Sequence, residues 1–319
     1  MTPDLVSTII PVYNRVRTLN EAVMSVLTQD YRPIEIFIVD DGSTNPATIE
    51  LIQRLVALHP DLVQAIRQDN LGPGLARESG RLAARGEFIQ YLDSDDVLLP
   101  GKFTAQVAAL RASPEADVAY GITLFRDRDG RLDSQPIKAT GEVMATMFPR
   151  FLNERWWETA TPLYRRCVCD LAGPWSDLRL EEDWEHDCRI AALGGRLTWS
   201  SLPVSEHRDH SGERLSRNDG PPDPSRLAQR ARAQTLIHRH ARTYGLSASD
   251  PAMRRFARSL FLLARQCGAA GLDAQAQNLC RQALAITRES GRPGFDILLY
   301  QAVARRLGWR RAAQLARVH

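Results

Sequence analysis

The first hundred residues alternate between short apolar runs and longer segments whose apolar residues recur at helical spacing. The short runs are rich in β-branched residues and predict strands over 5–10, 34–40, 62–68 and 87–93. The segments between them predict helices over 17–29, 45–59 and 72–86, the first with Thr18 as its N-cap. Because strands joined by helices at this spacing form right-handed crossovers, we expect a mainly parallel sheet with helices on both faces.

The middle of the chain mixes both patterns, and the last third is helical. Apolar spacing predicts helices over 102–113 and 182–195, and strands over 117–125, 160–166 and 196–204. Turn-forming residues dominate 127–136, and the polar, proline-containing stretch 205–225 predicts a loop or linker. From residue 226 the pattern is helical, and two amphipathic segments joined at a glycine resemble one tetratricopeptide-like helical pair. We expect this pair to dock on other elements, because it cannot bury its own apolar face.

Charge is distributed unevenly along the 319 residues, whose formal net charge is +3. Residues 1–225 carry 24 basic and 34 acidic side chains, whereas residues 226–319 carry 17 basic and 4 acidic ones. No apolar run approaches the roughly 20 residues that span a bilayer, and the start does not have the pattern of a secretory signal. The 5 cysteines show no metal-binding spacing, so we expect reduced thiols in a cytoplasmic protein.

Polar residues follow three predicted strands at the point where each strand ends. They are "PVYN" at 11–14, "DDGS" at 40–43 and "DSDD" at 93–96. Because ligands of an open parallel sheet bind outside the carboxyl ends of its strands, the three clusters form one candidate site. Taken alone, "DDGS" is a turn signal. The close carboxylates Asp93 and Asp95 instead favour a hard divalent cation that also contacts substrate phosphates.

Two segments carry a resemblance to a known family, and they read "STIIPVYNRVRTLNEAVMSVLTQDYRPIEIFIVDDGSTN" and "NLGPGLARESGRLAARGEFIQYLDSDD". They resemble the nucleotide-binding half of the family 2 inverting glycosyltransferases, which have the GT-A fold, and the resemblance extends over residues 5–216. It implies an α/β fold with a mainly parallel sheet between helices, followed here by an α-helical C-terminal region. It also implies a nucleoside diphosphate sugar, usually a UDP-sugar, bound across the strand ends with Mn²⁺ or Mg²⁺.

The resemblance implies a base pocket at the first two strand ends. Pro11 and Tyr13 would line this pocket, and Asp41 would accept a hydrogen bond from the base, a role for which Asp40 is less favoured. Arg77 would contact the base or a phosphate.

The same resemblance implies a metal and ribose site at the fourth strand. Asp93 would hold the ribose hydroxyls or help at the metal, and Asp95 would bind the metal directly. We expect Asp96 to be an acid at a helix N-terminus near Pro100. His210, in a segment similar to the family's mobile loop, would contact the metal or the diphosphate.

The second half of the resemblance supplies a general base. The family places it in a Glu-Asp pair that opens a helix, and "LEEDWEHDCRIAALGG" matches with Glu182 and Asp183. Asp183 would be the base, and Trp184 would lie against the site wall. A simpler interpretation is that these acids only oppose the helix dipole. The segment departs from the family at His186 and Asp187, where leucine and tryptophan are common, which puts the shape of the acceptor site in doubt.

Two further segments are candidates for contacts with the substrates. The loop "EHRDHSGERLS" at 206–216 contains Arg208 and Arg214, either of which would neutralise the leaving group when the loop closes. The adjacent Trp156 and Trp157 would either stack on acceptor sugars or pack at a junction with the C-terminal helices, and the sequence leaves both interpretations open.

Together these inferences predict a metal-dependent inverting hexosyltransferase that acts on a glycan, glycolipid or glycoprotein hydroxyl. We expect a catalytic domain over 1–216, with a nucleotide-binding half at 1–100 and an acceptor half at 101–216. A linker would cover 217–225, and a basic helical region 226–319. This region would cap the acidic domain, contact the inner face of a membrane or bind a partner protein. Nucleic acid is not expected, because no recognised binding module accompanies the charge.

Other classes of protein remain as alternatives. A non-catalytic nucleotide-binding scaffold with a partner-binding helical tail is the first, and the retained Asp41, Asp93, Asp95 and Asp183 disfavour it. A nucleotidyltransferase is the second, and "PVYNRVRTLN" does not contain the glycine- and lysine-rich loop expected there. Neither a GxxxxGK[ST] loop nor a GxGxxG motif occurs, which disfavours P-loop nucleotidases and nicotinamide-binding enzymes.

Overall fold

The structure, a computed structural model, describes residues 1–209, 223–291 and 294–315. The chain divides into two compact units, which we call the sheet unit and the helical unit. The sheet unit comprises Met1–Met147, Arg155–Asp177 and Leu193–Gly212. The helical unit comprises Phe148–Glu154, Leu178–Ala192 and Glu213–His319. The predicted linker at 217–225 lies mostly outside the described residues.

Within the described residues, nine strands of the sheet unit form one sheet. The strands are β1 (Thr2–Val12), β2 (Ile34–Asp41), β3 (Val63–Gln68), β4 (Gly86–Tyr91), β5 (Val97–Leu98), β6 (Val118–Arg126), β7 (Leu132–Asp133), β8 (Leu163–Arg165) and β9 (Leu197–Arg208). The helices of this unit are α1 (Arg17–Leu27), α2 (Pro46–Leu58), α3 (Pro73–Ala83), α4 (Lys102–Ala112) and α5 (Arg166–Ala172).

The sheet has the order β3-β2-β1-β4-β8-β6-β9-β5, and β7 pairs with β6 at its margin. The strands β1 to β4 are parallel to one another, β8 is antiparallel to both β4 and β6, and β9 is parallel to β6. The predicted α/β class with a mainly parallel sheet is therefore confirmed. The alternation of short β-branched runs with amphipathic segments placed the first four strands within a few residues of their observed bounds.

Two local predictions in this unit are wrong. Helix α1 begins at Arg17, and Val16, which precedes it, provides no side-chain cap. Thr18 therefore lies inside the first turn and does not cap it. Strand β9 continues to Arg208, so the start of the predicted loop at 205–225 is strand. Pairing with β6 extends β9, because His207 and Arg208 lie opposite Phe125 and Arg126.

The sheet unit buries β1, β2 and β4 on both faces, as the run of apolar residues in each of them requires, whereas the edge strand β3 buries only Val63. Every residue of β2 is buried, and β1 is buried from Leu5 to Val12. Helix α3 packs closely on the sheet at Gly80, where a Cβ atom would lie 2.4 Å from Ile9 Cγ2. This close approach fixes the height of α3 above β1 and so places the side chains that α3 directs toward the sheet edge.

The helical unit contains α6 (Glu182–Ala192), α7 (Pro224–Tyr244), α8 (Pro251–Ala269), α9 (Asp273–Glu289), α10 (Phe295–Leu307) and α11 (Trp309–Leu315). Helices α7 and α8 begin with an aspartate N-cap followed by proline, a common helix start. Helices α8 and α9 are joined through Gly271 and form the predicted helical pair. Within the described ranges, no helix combines the length and apolar character that crossing a bilayer requires.

Candidate functional site

The carboxyl ends of β1, β2 and β4 meet at one edge of the sheet. In the parallel register, Val12 lies opposite Asp40 of β2, and Ile9 lies opposite Tyr91 of β4. The segments "PVYN", "DDGS" and "DSDD" therefore leave the sheet side by side. This arrangement is the candidate nucleotide site, and it confirms that the three clusters predicted from the sequence share one sheet edge.

Asp41 organises the loop that joins β3 to α3. Its buried carboxylate accepts hydrogen bonds from Gln68 Nε2 at 2.8 Å and from the backbone N–H groups of Leu71 and Gly72, each at 2.9 Å. A carboxylate offers about four acceptor positions, so these three bonds leave room for one further donor. A hydrogen bond from a nucleotide base to Asp41 therefore remains a prediction, and the geometry permits it.

Asp40 closes the turn at the end of β2. Its Oδ1 accepts the Ser43 N–H at 2.8 Å, and its Oδ2 lies 3.3 Å from Arg67 Nη1. The turn needs glycine at position 42, because φ is +77° there and a Cβ would lie 2.8 Å from the backbone nitrogen of Asn70. Asp40 therefore bonds within its own turn, whereas Asp41 bonds to the loop between β3 and α3.

Asn14 is a residue at this edge that the sequence reasoning missed. Its Oδ1 accepts hydrogen bonds from the N–H groups of Thr44 and Asn45, both at 2.9 Å, and its own N–H donates to Ser43 Oγ at 3.0 Å. Its φ of +51° is one that asparagine tolerates better than most residues. An asparagine directly after a buried strand is the signal that could have revealed it.

The two residues predicted to line the base pocket differ in exposure. Pro11 is buried within β1, whereas Tyr13 is 45% exposed just beyond the end of the strand. An exposed aromatic ring beside the "DDGS" turn is suited to contact a planar base. Tyr13 is thus the better placed of the pair to touch a ligand.

Arg77 and Asp93 form an ion pair at the same edge. Arg77 Nη2 donates to Asp93 Oδ1 at 2.6 Å, and the guanidinium also lies over the ring of Trp175, 4.9 Å from its centroid. The Arg77 side chain is only 3% exposed, whereas that of Asp93 is 32% exposed. The buried arginine therefore holds a carboxylate that stays partly exposed to solvent. The sequence reasoning named Arg77 and Asp93 but missed Trp175.

The prediction that Asp96 is an acid at a helix N-terminus is wrong. Helix α4 begins only at Lys102, and Asp96 is buried against β9, where it accepts the Arg208 N–H at 3.1 Å. His207 Nδ1 lies 3.2 Å from Asp96 Oδ2. Burial raises the pKa of Asp96 to about 6, although the charge of His207 opposes the shift. Asp96 thus fastens the "DSDD" segment to β9.

Arg208 strengthens this attachment. Its Nε donates to the backbone carbonyl of Asp95 at 2.9 Å, and its Nη1 pairs with Glu21 of α1. Arg208 is thereby held at the end of the strand from which the predicted donor loop leaves. His210 and Arg214, the other predicted residues of that loop, lie outside the described residues.

The carboxylate oxygens of Asp95 are ligands of the kind that a hard divalent cation prefers. Asp95 is a half-buried carboxylate at the edge where Arg77 bonds to Asp93 and β9 bonds to Asp96. In the part of the chain that the structure describes, no group of three or more His, Cys, Asp or Glu side chains is arranged to hold a metal ion. One carboxylate completed by substrate phosphates and water is a common arrangement for Mg²⁺.

The predicted base segment opens helix α6 of the helical unit. Asp183 is half-buried, and its Oδ1 accepts the N–H of Trp184 at 2.7 Å. Trp184 Nε1 donates to the carbonyl of Phe151 at 2.6 Å, which fixes the indole in the same unit. Glu182 and Asp187 are buried. The helix ends at Ala192, three residues before the predicted end.

Trp156 and Trp157 are packed inside the sheet unit. Their exposures are 1% and 0%, and both rings contact Tyr120, with centroid separations of 5.1 and 5.6 Å. The two indoles also contact each other at 4.8 Å. This geometry supports packing against β6, and Trp157 presents no exposed face on which a sugar ring would stack.

We expect Trp157→Phe to lower the free energy of unfolding by about 1–3 kcal/mol, because the smaller ring leaves space in a closely packed interior. Urea unfolding of wild type and variant measures the difference. The Michaelis constant for an acceptor should change little. If the variant instead has wild-type stability and a strongly raised Michaelis constant for the acceptor, the result favours stacking of Trp157 on an acceptor sugar.

Comparison with known proteins identifies the class of this chain. The family model described as glycosyl transferase family 2 matches residues 7–167, about half of the chain. The chain therefore belongs to glycosyl transferase family 2.

Curated relatives share this region of the chain. An uncharacterized glycosyltransferase of Nostoc sp. is 38% identical over 210 residues, which are 64% of this chain and 65% of the relative. A chondroitin synthase of Escherichia coli is 34% identical over 160 residues, which are 48% of this chain and 23% of the relative. This chain thus spans less than two thirds of the length of these relatives.

Solved structures share the fold. A crystallised fragment of S. aureus TarS has a TM-score of 0.69 at 18% identity, and the match covers 98% of this chain and 91% of that one. The same fragment in complex with UDP-GlcNAc has a TM-score of 0.61 at 17% identity, with 98% and 91% covered. The mannosyltransferase PcManGT of Pyrobaculum calidifontis, in complex with GDP-Man and Mn²⁺, has a TM-score of 0.56 at 18% identity, with 97% and 86% covered. The predicted GT-A fold class is confirmed.

Proposed function

We propose that this glycosyltransferase moves a hexose from a nucleoside diphosphate sugar, preferably a UDP-sugar, to an acceptor hydroxyl with inversion at the anomeric carbon. The observation that carries the proposal is the meeting of three polar strand ends at one edge of the parallel sheet. The complexes of structural neighbours with UDP-GlcNAc and GDP-Man support a nucleotide sugar as donor.

The sheet unit would bind the nucleotide. The exposed ring of Tyr13 contacts the base, and Asp41, which has room for one more donor, accepts its N–H. Uracil presents such a group at N3, and the complex of a structural neighbour with UDP-GlcNAc leads us to favour UDP. Asp93, oriented by Arg77, accepts hydrogen bonds from the ribose hydroxyls.

Asp95 would hold a divalent cation, Mn²⁺ or Mg²⁺. When bound, such a cation offsets the negative charge that the diphosphate gains as it leaves. The protein keeps Asp95 in place through its backbone carbonyl, which accepts from Arg208, and through the neighbouring Asp96, which is fastened to β9.

Asp183 would act as the general base. It takes the proton of the acceptor hydroxyl while that oxygen forms its bond to the anomeric carbon. The bond from this carbon to the diphosphate breaks at the same time, and its electron pair stays on the diphosphate oxygen. A single displacement of this kind inverts the configuration of the anomeric carbon.

The acceptor would be a glycan, glycolipid or glycoprotein in bacterial surface-polysaccharide assembly. The match to a chondroitin synthase supports a polysaccharide setting. We place the reaction in the cytoplasm, with peripheral contact at the inner face of the membrane. The exposed Phe295 and Leu299 on α10, followed by Arg305 and Arg306, support such a contact with anionic lipid.

Calorimetric titration of the full chain with UDP, GDP and dTDP, each with and without Mn²⁺, tests the donor class. We expect one nucleotide to bind, with UDP preferred, and the affinity to rise when Mn²⁺ is present, because the diphosphate and a carboxylate share the cation. Binding of GDP alone would correct the donor to a GDP-sugar. If none of the three binds, the proposed function fails.

A further inference from the structure

Helix α7 holds the residue that directly precedes helix α6. Glu181 Oε1 accepts a hydrogen bond from Arg230 Nε at 2.8 Å, and its Oε2 accepts one from Gln234 Nε2 at 2.6 Å. Arg230 and Gln234 are one turn apart on α7, so a single carboxylate bridges two successive turns. Gln234 is buried, and the Glu181 side chain is 18% exposed. We call this arrangement the Glu181 tie.

The backbone of Glu181 is unusual for a residue that begins a helix. Its carbonyl accepts the Glu185 N–H at 2.9 Å, which places Glu181 at the N-cap of α6. An ordinary N-cap has an extended backbone and a short polar side chain that bonds to its own helix. Glu181 has a φ of +60°, and its carboxylate is engaged on α7 instead. Such strained residues persist where surrounding contacts determine them, often at functional sites.

A second tie joins the same two helices one turn later. The buried Glu185 accepts from Arg189 Nη2 at 2.5 Å, and its Oε1 lies 2.7 Å from His240 Nε2 of α7. Burial raises the pKa of Glu185, but these hydrogen bonds outweigh it and lower the pKa to about 2. The group is therefore an anion at neutral pH, as the contact with α7 requires.

The two ties and Asp183 lie on different sides of α6. Glu181 and Glu185 are four residues apart and both reach α7. Asp183 is two residues from each, which corresponds to about 200° around a helix. The ties thus set the direction of the first turn of α6 without using the carboxylate of Asp183.

We infer that α7 is a positioning element of the transfer reaction: Glu181, held by Arg230 and Gln234, orients the first turn of α6 and with it Asp183. The inference rests on the proposed role of Asp183 as base. It gives the basic C-terminal region a part in catalysis through its first helix. A misplacement of about 1 Å in a reacting group can lower a rate by roughly 100-fold, so the tie has a measurable effect.

The variant Glu181→Asn tests this role, because asparagine tolerates a positive φ but is too short to reach α7. Hydrogen exchange measured by mass spectrometry should be faster in peptides covering 181–187 and unchanged in the sheet unit. The variant Arg242→Ala is the matched control, since it removes a different α7 ion pair, with Glu289 of α9. Wild-type exchange in Glu181→Asn would overturn the inference.

The rate of UDP release from UDP-GlcNAc gives the catalytic readout, or GDP release from GDP-Man if titration favours GDP. For Glu181→Asn we expect kcat to fall about 10–100-fold with an unchanged KM for the donor. The variant Glu181→Gln, which keeps the length of the side chain, should recover most of the rate. In an Asp183→Asn background, Glu181→Asn should have no further effect, because the tie acts through Asp183.

The two proposals fail in different ways. If Asp183→Asn retains the wild-type rate, the base assignment is wrong. If Asp183→Asn is slow but Glu181→Asn is as fast as wild type, only the positioning role is wrong. An equal loss from Glu181→Asn in both backgrounds would mean that the tie has a general structural role.

Discussion

Asp183→Asn is expected to lower the rate of sugar transfer by about 100- to 10,000-fold, the usual contribution of a positioned general base. The amide is nearly the same size as the carboxylate and still accepts the N–H of Trp184, which Asp183 now accepts at 2.7 Å. Helix α6 should therefore keep its first turn. Nucleotide affinity, measured by titration, should stay at the wild-type value because the nucleotide residues belong to the sheet unit.

A matched control separates catalysis from helix stability. Asp273 is an acid in the first turn of α9, so Asp273→Asn makes the same chemical change at another helix N-terminus. If such acids only oppose the helix dipole, both variants lose about 0.3–1 kcal/mol of stability and keep their activity. If the Asp183→Asn variant transfers sugar as fast as the Asp273→Asn variant, Asp183 is not the base.

The sheet and the strand-end clusters were predictable because their signals are local. The apolar run of β2, for example, is buried at every position, and each polar cluster directly follows its own strand in the sequence. The rule that parallel strands end at the same edge then brings these clusters together without any knowledge of distant contacts.

Residues whose partners are remote in sequence could not be assigned in this way. Asp96 looked like a helix-start acid because Pro100 follows it, but its partners His207 and Arg208 are more than a hundred residues further on. Likewise, Trp175 gives no local sign that it covers the guanidinium of Arg77. The pairing of β5 with β9 and the packing of α5 beside β4 bring these residues together.

The helix start at Glu181 illustrates a second limit. From the sequence, Glu182 and Asp183 are acids that open a helix, and Glu181 is indistinguishable from them. The positive φ of Glu181 and its bonds to α7 arise from packing between helices separated by some fifty positions in the chain. The predicted acceptor half at 101–216 includes this helix, which packs within the helical unit.

The arrangement of Arg77 alters the interpretation of the nucleotide site. An arginine that is 3% exposed and already bonded to Asp93 is poorly placed to leave its partner for a phosphate. Moving it would break an ion pair in a partly buried position and the contact with Trp175. We therefore propose that Arg77 orients Asp93 and does not bind a phosphate, and the proposed cation at Asp95 would then be the contact with the diphosphate.

Asp95→Ala is accordingly expected to abolish the Mn²⁺-dependent part of nucleotide binding. Changes in residues that merely surround a metal site lower metal affinity or activity by roughly 10–100-fold, so loss of a direct ligand should exceed about 100-fold. The variant removes only the side chain, and the backbone carbonyl that accepts from Arg208 Nε remains. Titration of UDP with and without Mn²⁺ measures the effect, and transfer activity should fall in parallel.

Asp61→Ala provides the matched control for this variant. Asp61 is exposed and precedes β3, so it belongs to the same unit but lies at the amino end of a parallel strand, away from the candidate site. Both variants should bind UDP equally in the presence of a chelator, because Tyr13 and Asp41 are unaltered. If Mn²⁺ raises the UDP affinity of Asp95→Ala as much as that of Asp61→Ala, the cation is held by another residue, and the assignment of Asp95 must be abandoned.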